Sequence, residues 1–492
     1  MAVIGTVSWA FIITLVIYFL VIFGIGVYGY LNTEDEDDFL VANREIGPAV
    51  GAATLSATQM SAGTFVGTIG VHYLTGVSFI YIWVGLWMGW LVSLVFVAPQ
   101  MRRFGEVTVP DFIAVRFGDD GADGDRMRAF SAILIVLAYT VYISAQYTGA
   151  GLVFQSIFGV SQEIGMAIMV AIIIAYTAFG GMRASAISDF VQIIIMTVGA
   201  IIAVPLLLGN IGGVGELEVL LSSVNPQLIG WQFTPLEVGT IALAFGFGML
   251  GAPYEIVRIY SMRDEQTVRY AIGTTLIFQI LIATGVAIGG MAIRVLYPQL
   301  TTPDLASVIM SIDVLGPILG ALVIGAILSA MLSTVDSIMI VSAGAIAHDI
   351  YAELLNPEAS EYKKLWANRL AVIAVGITPF FLALYGEVLG GLVQFIVLLQ
   401  AAIIGATFSM PLLLGLHWDR MNTLGVFAGM LFGFVTVISW HLGTQEGIVS
   451  GILAQIDPVV PGVIMCLIGM IAGSYLTSRP SAEALAPFFD VG

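Results

Sequence analysis

The chain has 492 residues, of which 59% are hydrophobic and only 10% charged. A soluble chain carries about 25% charged residues, so a water-soluble globular protein is excluded at the outset. The net charge of −17 argues against nucleic acid as a partner and suits a protein solvated in concentrated salt, although acidic loops also serve as ordinary polar caps.

A helix needs about 20 mainly apolar residues to cross a hydrocarbon core of about 30 Å. Thirteen stretches qualify: 7–30, 46–72, 77–100, 128–157, 161–181, 187–209, 237–258, 270–297, 315–347, 365–386, 389–416, 424–442 and 461–478. The connections are short, so residues 1–492 read as one all-α polytopic membrane domain. With the N-terminus outside and the C-terminus cytoplasmic, all Lys and Arg except Arg294 fall on the inner side, Arg258 among them. The outer loops 210–236 and 443–460 carry Glu216, Glu218, Glu446 and Asp457 but no Lys or Arg. That bias fixes orientation and points to the plasma membrane. The first span lacks the basic start and small-residue exit of a cleaved signal. Cys466, the single cysteine, reads as a small packing residue in the last span, with no disulfide or redox centre implied.

Two spans are interrupted. The second contains "LSATQMSAGTFVGTIG" (55–70), with Ser56, Thr58, Gln59, Ser61 and Thr64 among three glycines. The seventh contains "ALAFGFGMLGAPYEIVR" (242–258), where Gly246, Gly248 and Gly251 precede Pro253. One glycine-rich span alone is commonly a close-packing face. Two broken spans at matching places in two halves point instead to a transporter's binding site. They open two sets of five spans, 46–209 and 237–416, inverted relative to each other because five is odd; spans 1, 12 and 13 are additions. Non-helical backbone at membrane depth must line a cavity or be buried in protein. The carbonyls freed near Ala57 to Met60 suit a small hard cation, which wants several oxygen ligands. In the ninth span, "GAILSAMLSTVDSIMIVSAGAIAHDIY" (325–351), Ser333 and Thr334 are adjacent hydroxyls, which by themselves would bond their own preceding turn.

This ninth-span wording resembles the sodium:solute symporter family. So does "AYTAFGGMRASAISDFVQ" (175–192), and "FGMLGAPYEIVR" has the spacing of the proline and pantothenate branches. The match runs from about residue 5 to 478. It implies a LeuT-type fold of thirteen helices: a five-plus-five inverted repeat with one extra N-terminal and two extra C-terminal helices. It also implies import of a small solute by alternating access, coupled to sodium. Carried over by position, the sodium ligands are the carbonyls of Ala57, Met60 and Ala330 and the hydroxyls of Ser333 and Thr334. Matching spans put Gln59, Thr64, Phe245, Met249, Pro253 and Gln400 at the substrate.

Proline carriers have an aspartate at the position of Gln59 and aromatic residues at those of Phe245 and Met249. With "YTAFGGMRAS" closer to pantothenate permeases, the favoured solute is pantothenate-like or another small carboxylate. A sodium/proline-type symporter is the alternative. No Lys or Arg appears in the central spans, so a carboxylate would rely on helix dipoles, hydroxyls, amides and the ion. Gln400 serves equally as an interhelical hydrogen bond. Tyr142 and Gln146 share one helix face, as site or packing groups, and His72 lies too far from the break to enter the site. Asp189 and Asp336 are acids inside spans and so functional suspects. The resemblance implies that Asp189 assists sodium leaving inward, and Asp336, a turn towards the cytoplasm from Ala330, is expected on the same exit path. Asp189 could instead be a dipole-stabilised helix-start carboxylate.

His72, His348, His417 and His441 fall near different span ends and form no catalytic motif, and no P-loop occurs, so an enzyme or ATP-driven pump is not expected. A channel or sensor would need a filter motif or a longer tail. A proton-coupled carrier of the same fold is the nearest rival, and the non-titrating Ser333 and Thr334 favour sodium. The expected partners are a small solute, the sodium ion and the bilayer, with no other metal and no cofactor.

Overall fold

The computed structural model describes residues 9–118, 121–385 and 391–489. Residues 7–8, 386 and 389–390, the ends of three expected spans, lie outside them. The described chain is helical, with no strand beyond one isolated bridge between Ile46 and Met262. Eleven of its helices are long and apolar enough to cross a membrane. These eleven do not match the thirteen expected spans one for one, for two physical reasons.

The first is at Gly181. The expected fifth and sixth spans are two helices within the 50-residue run Gln162–Ile211, joined at Gly181 with no loop between them. Straight, the run would extend about 75 Å, far more than a bilayer needs. It folds back at Gly181, whose φ of 58° and ψ of −166° are open to glycine. The hydroxyls of Tyr176 and Ser188 bond each other across the turn, although twelve helical residues would separate them by about 18 Å. The second is at Met60 and Gly76: the expected second span is broken into Pro48–Gln59 and a part starting at Gly63, and it ends at Gly76 (φ 61°, ψ −128°), where the chain turns towards Ile82–Phe96.

The interrupted seventh span is likewise two helices, Pro235–Leu250 and Pro253–Ser261. Its first half packs on Ile82–Phe96 closely enough that a Cβ on Gly85 would lie 1.9 Å from the Ala242 carbonyl. The ends of the two broken helices are tied directly: the Ile46 amide donates to Ser261 O (3.1 Å) and the Arg263 amide to Ile46 O (3.0 Å). Gly316–Leu355, the expected ninth span, runs through the middle of the bundle and is the most buried helix after Val393–His417.

Beyond the spans, a charged cluster joins several elements at one end of the bundle. Thr108 and Asp111 cap helix Val109–Phe117 reciprocally. Arg128 bonds Asp111 and, at 3.1 Å, Asp349, while the Thr108 hydroxyl donates to Asp349 (2.8 Å). His348 sits between Glu36 (3.5 Å) and Asp111 (3.4 Å). Asp111, His348 and Asp349 are close enough to share a metal ion, but the Arg128 guanidinium already covers both carboxylates.

Burial pushes the Asp111 carboxyl up, and His348 and Arg128 outweigh it, holding the group well below its ordinary 3.8. Its contribution to stability is therefore complete above about pH 4 and is lost as pH falls through the acid range. Asp111→Asn should remove up to about 1.4 kcal/mol per pH unit from the slope of stability against pH below that point. Unfolding of both purified proteins between pH 6 and 3 measures it. Parallel curves would show that Asp111 is not held ionised by the cluster.

Candidate functional site

Helix Pro48–Gln59 stops because Met60 turns extended (φ −80°, ψ 101°). The amides that follow the break are all served from within. The Ser61 N–H donates to the Thr64 hydroxyl (3.3 Å), Ala62 N–H to Gln146 Oε1 (2.7 Å) and Gly63 N–H to the Ser61 hydroxyl (3.0 Å). The carbonyls before the break meet the ninth span. Ser333 Oγ lies 2.9 Å from Ala57 O and 3.2 Å from Ala330 O. Thr334 Oγ1 lies 2.8 Å from Thr58 O, 3.3 Å from Met60 O and 2.9 Å from Ala330 O. The five oxygens expected as sodium ligands thus come together, with Thr58 O as a sixth. Two hydroxyl protons and the Met60 amide (3.1 Å from Ala57 O) serve four carbonyls here, an acceptor-rich cluster whose chemistry suits a hard cation.

A cavity opens on the Thr64 side of this cluster, walled by both broken helices. Gln59, Met60, Thr64, Phe245, Met249 and Gln400 all line it. Pro253 does not; it occupies the first turn of its half-helix, where a missing N–H is harmless, and its neighbour Tyr254 reaches the cavity instead. Tyr142 joins the wall, whereas Gln146 is spent on the Ala62 amide. His72 is buried with Nδ1 on Gly76 O (2.9 Å) and takes no part. Sequence reasoning missed Trp83, Tyr254 and Gln394. The last two were legible in part, as a polar ring beside the Pro253 break and a second amide on the Gln400 helix; nothing marked Trp83.

The expectation that a helix N-terminus holds a carboxylate does not fit these contacts. After the second break, Pro253 has no N–H, the Tyr254 N–H donates to the Tyr139 hydroxyl (3.0 Å), and the Glu255 N–H to Ala252 O (3.1 Å). With the first break also capped, the free donors at the cavity are side chains: Trp83 Nε1 and Gln59 Nε2, buried and unpaired. Gln59 Oε1 accepts from Trp90 Nε1 (2.8 Å) and from Gln279.

Behind the oxygen cluster lies a sealed ionic network. Arg258, placed by the sequence with the loop cations, is fully buried; its half-helix turns into the bundle instead of leaving it. Arg258 Nη2 donates to Asp189 Oδ2 and Ser185 (both 2.9 Å) and to Ser337. Asp189 also accepts from Thr54. Asp336 accepts from Tyr176 (2.8 Å), Ser185 (3.1 Å) and Ser337 (3.1 Å). Ser337 and Thr58 bond each other at 3.1 Å, joining this network to the first break. Both aspartates are fully buried, so neither stands at an open mouth.

Residues 39–433 match the model of the sodium:solute symporter family. The high-affinity proline transporter PutP of Bacillus subtilis (strain 168) is 32% identical over 478 residues, covering 95% of this chain and 98% of that protein. The osmoregulated proline transporter OpuE of the same organism is 29% identical over 491 residues, 97% of each. Among solved structures, a Na+-coupled sialic acid symporter in a substrate-bound, outward-open state superposes with a TM-score of 0.78 at 18% identity, covering 96% of this chain and 99% of that one. MHP1, a nucleobase-cation-symport-1 family transporter in a closed conformation, gives 0.53 at 13% identity, covering 91% and 97%. At such identities the likeness is one of fold, and the fold is LeuT-type.

Removing one member of a buried ion pair strands the other, at about 3–5 kcal/mol. Arg258→Met should therefore cost much of the folded yield and lower the unfolding temperature, and adding Asp189→Asn should restore most of the loss. Thermal unfolding in detergent reads both. A single variant as stable as wild type would mean that the pair contributes nothing.

Proposed function

The chain belongs to the sodium:solute symporter family, and from that premise we propose that it imports proline, or a small amino acid of similar shape, together with sodium. The observation that carries the ion half is the convergence of Ala57, Met60, Ala330, Ser333 and Thr334 oxygens beside a cavity between two broken helices. None of those ligands titrates in the physiological range, which favours sodium over a proton at that place. For the solute, near full-length relatives named as proline transporters favour the proline-type reading over the pantothenate-like one. The carboxylate of the solute would meet Trp83 Nε1, Gln59 Nε2 and the ion, while Phe245 and Met249 cover its apolar part. Pro253 acts by setting Tyr254, and Gln400 and Thr64 complete the wall.

On this reading, 46–209 and 237–416 are the two inverted repeats that rock about the site, in a plasma-membrane protein with its N-terminus outside and C-terminus cytoplasmic. Asp189 and Asp336 form the acidic side of the inward ion path, which requires the Arg258 network to open during the cycle.

Protein in liposomes should accumulate proline when sodium is imposed outside, and not when choline replaces it at fixed membrane potential. Equal uptake in choline would sink the sodium reading; sodium-driven currents with other solutes but not proline would sink the solute.

Thr334→Ala removes one oxygen from the proposed shell. Hydrogen bonds to charged groups are worth about 1.5–3 kcal/mol, so half-saturating sodium should rise about tenfold or more at unchanged membrane abundance. Unaltered sodium dependence would reduce Thr334 to bonding its own helix.

A further inference from the structure

Glu255 is the third residue of the half-helix Pro253–Ser261, 2% exposed, and neither carboxylate oxygen has a hydrogen-bond partner. Lone buried carboxylates are rare because each costs several kcal/mol unless a positive charge joins it. The groups around it come from several elements. Gln59 lies against it from the first break, Arg258 follows one turn on, and Asp189 approaches from the folded-back helix. Tyr139 and Tyr142 stand near it on helix Gly121–Phe158, and Tyr254 precedes it. Gln59 Nε2, itself unpaired, can offer one hydrogen bond but no charge.

A charge count sharpens the point. The sealed centre holds three carboxyls, Asp189, Glu255 and Asp336, and one guanidinium, Arg258. Arg258 directly pairs Asp189. Asp336 accepts three hydroxyl bonds, one of them from Ser337, whose hydroxyl also bonds Ser333 O and Thr58 beside the proposed cage, so an ion there would supply its counter-charge. Glu255 has no cation bonded to it, and the donor that lies against it is the neutral Gln59 amide. The cage and Arg258 together leave one negative charge, and it falls on Glu255.

We propose that Glu255 is the anionic member of a second cation position, beneath the cavity floor at Gln59, which takes one exchangeable positive charge, a sodium ion or a proton. This rests on the cage proposed above for the first ion. The two positions adjoin neighbouring residues: the cage uses the Met60 carbonyl, and Glu255 lies against the Gln59 side chain. Both broken helices therefore contribute to cation binding, the first through backbone oxygens and the second through a carboxylate.

The test counts charges on the purified full-length protein, with no solute present. Saturable binding of radioactive sodium is measured from pH 6 to 9, and protons released on adding sodium are recorded with an indicator dye. If the second charge is sodium, wild type binds two ions and Glu255→Gln one. If it is a proton, wild type binds one ion with pH-dependent affinity and releases a proton, and Glu255→Gln loses that pH dependence and release. The double variant Gln59→Asp/Glu255→Gln carries the carboxyl across the contact and should regain the lost charge, which also guards against a single variant that fails to fold. A Glu255→Gln protein with the sodium count and proton release of wild type overturns the proposal. So does a folded double variant that regains nothing when the single variant has lost a charge. Thr334→Ala reports the cage separately: if it leaves sodium binding unaltered while Glu255→Gln changes it, the cage reading fails and the Glu255 site stands.

Discussion

In hydrocarbon every unpaired backbone group costs several kcal/mol, and this chain breaks a helix twice where no water can repair it. How the freed groups are repaid determines what each break can do. At the first, all three amides after the break are taken by Thr64, Gln146 and Ser61, while the carbonyls share two hydroxyl protons and the Met60 amide. Donors are spent and acceptors remain, so the break presents oxygen lone pairs to whatever enters. At the second break, the Ser409 hydroxyl serves Phe247 O and Tyr139 serves the Tyr254 amide. That break has little surplus of either sign, and its consequence is geometric: it turns Tyr254 into the cavity and Glu255 and Arg258 into the centre.

The two breaks are mechanically joined. The Ile46 strap binds the far ends of their half-helices, and the Thr58–Ser337–Arg258–Asp189–Thr54 chain joins their interiors. Thr54 and Thr58 lie one turn apart on Pro48–Gln59, so that half-helix meets the Arg258 network at two points. A shift of either half-helix must break or carry these bonds. Low dielectric makes such links strong, and it makes a half-broken network costly, which favours two discrete arrangements over a continuum.

The pattern of glycine, proline and small polar residues was enough to locate both breaks, because few other sequences are tolerated at that depth. The adjacency of Ser333 and Thr334 was visible too, although their alignment with Ala57 and Met60 required knowledge of how two distant helices meet. The division between the fifth and sixth spans was legible as well, since the expected spans part after residue 181, where the chain turns; that Gly181 alone makes the turn, with no loop, was not, because "FGGMR" has no proline. Arg258 was misplaced because a cation at the end of an apolar window reads as a loop residue, and only tertiary packing turns it inward. Trp83 reached the cavity through the folding of Gly63–Phe96, which no local periodicity reports. Glu255 stood in the quoted motif without meaning, because its burial without a bonded cation depends on how distant helices meet.

The cavity wall at the proposed solute site carries amides, hydroxyls, indoles and thioethers but no guanidinium or ammonium. A zwitterion's carboxylate therefore finds neutral donors and no fixed counter-charge, and both nearby helix starts have used their amides. The strongest positive charge on offer would be the ion proposed for the cage, one residue from Gln59 through Met60. Under that arrangement solute binds weakly without the ion and more tightly with it. Linkage requires the converse to the same factor, so the solute tightens the ion in turn. A fixed arginine in the wall would have raised affinity for the carboxylate irrespective of sodium, and the coupling would have been diluted by binding that needed no ion. The absence of such a residue from the described wall is thus the electrostatic counterpart of the acceptor surplus at the first break: each leaves a charge for the other ligand to supply.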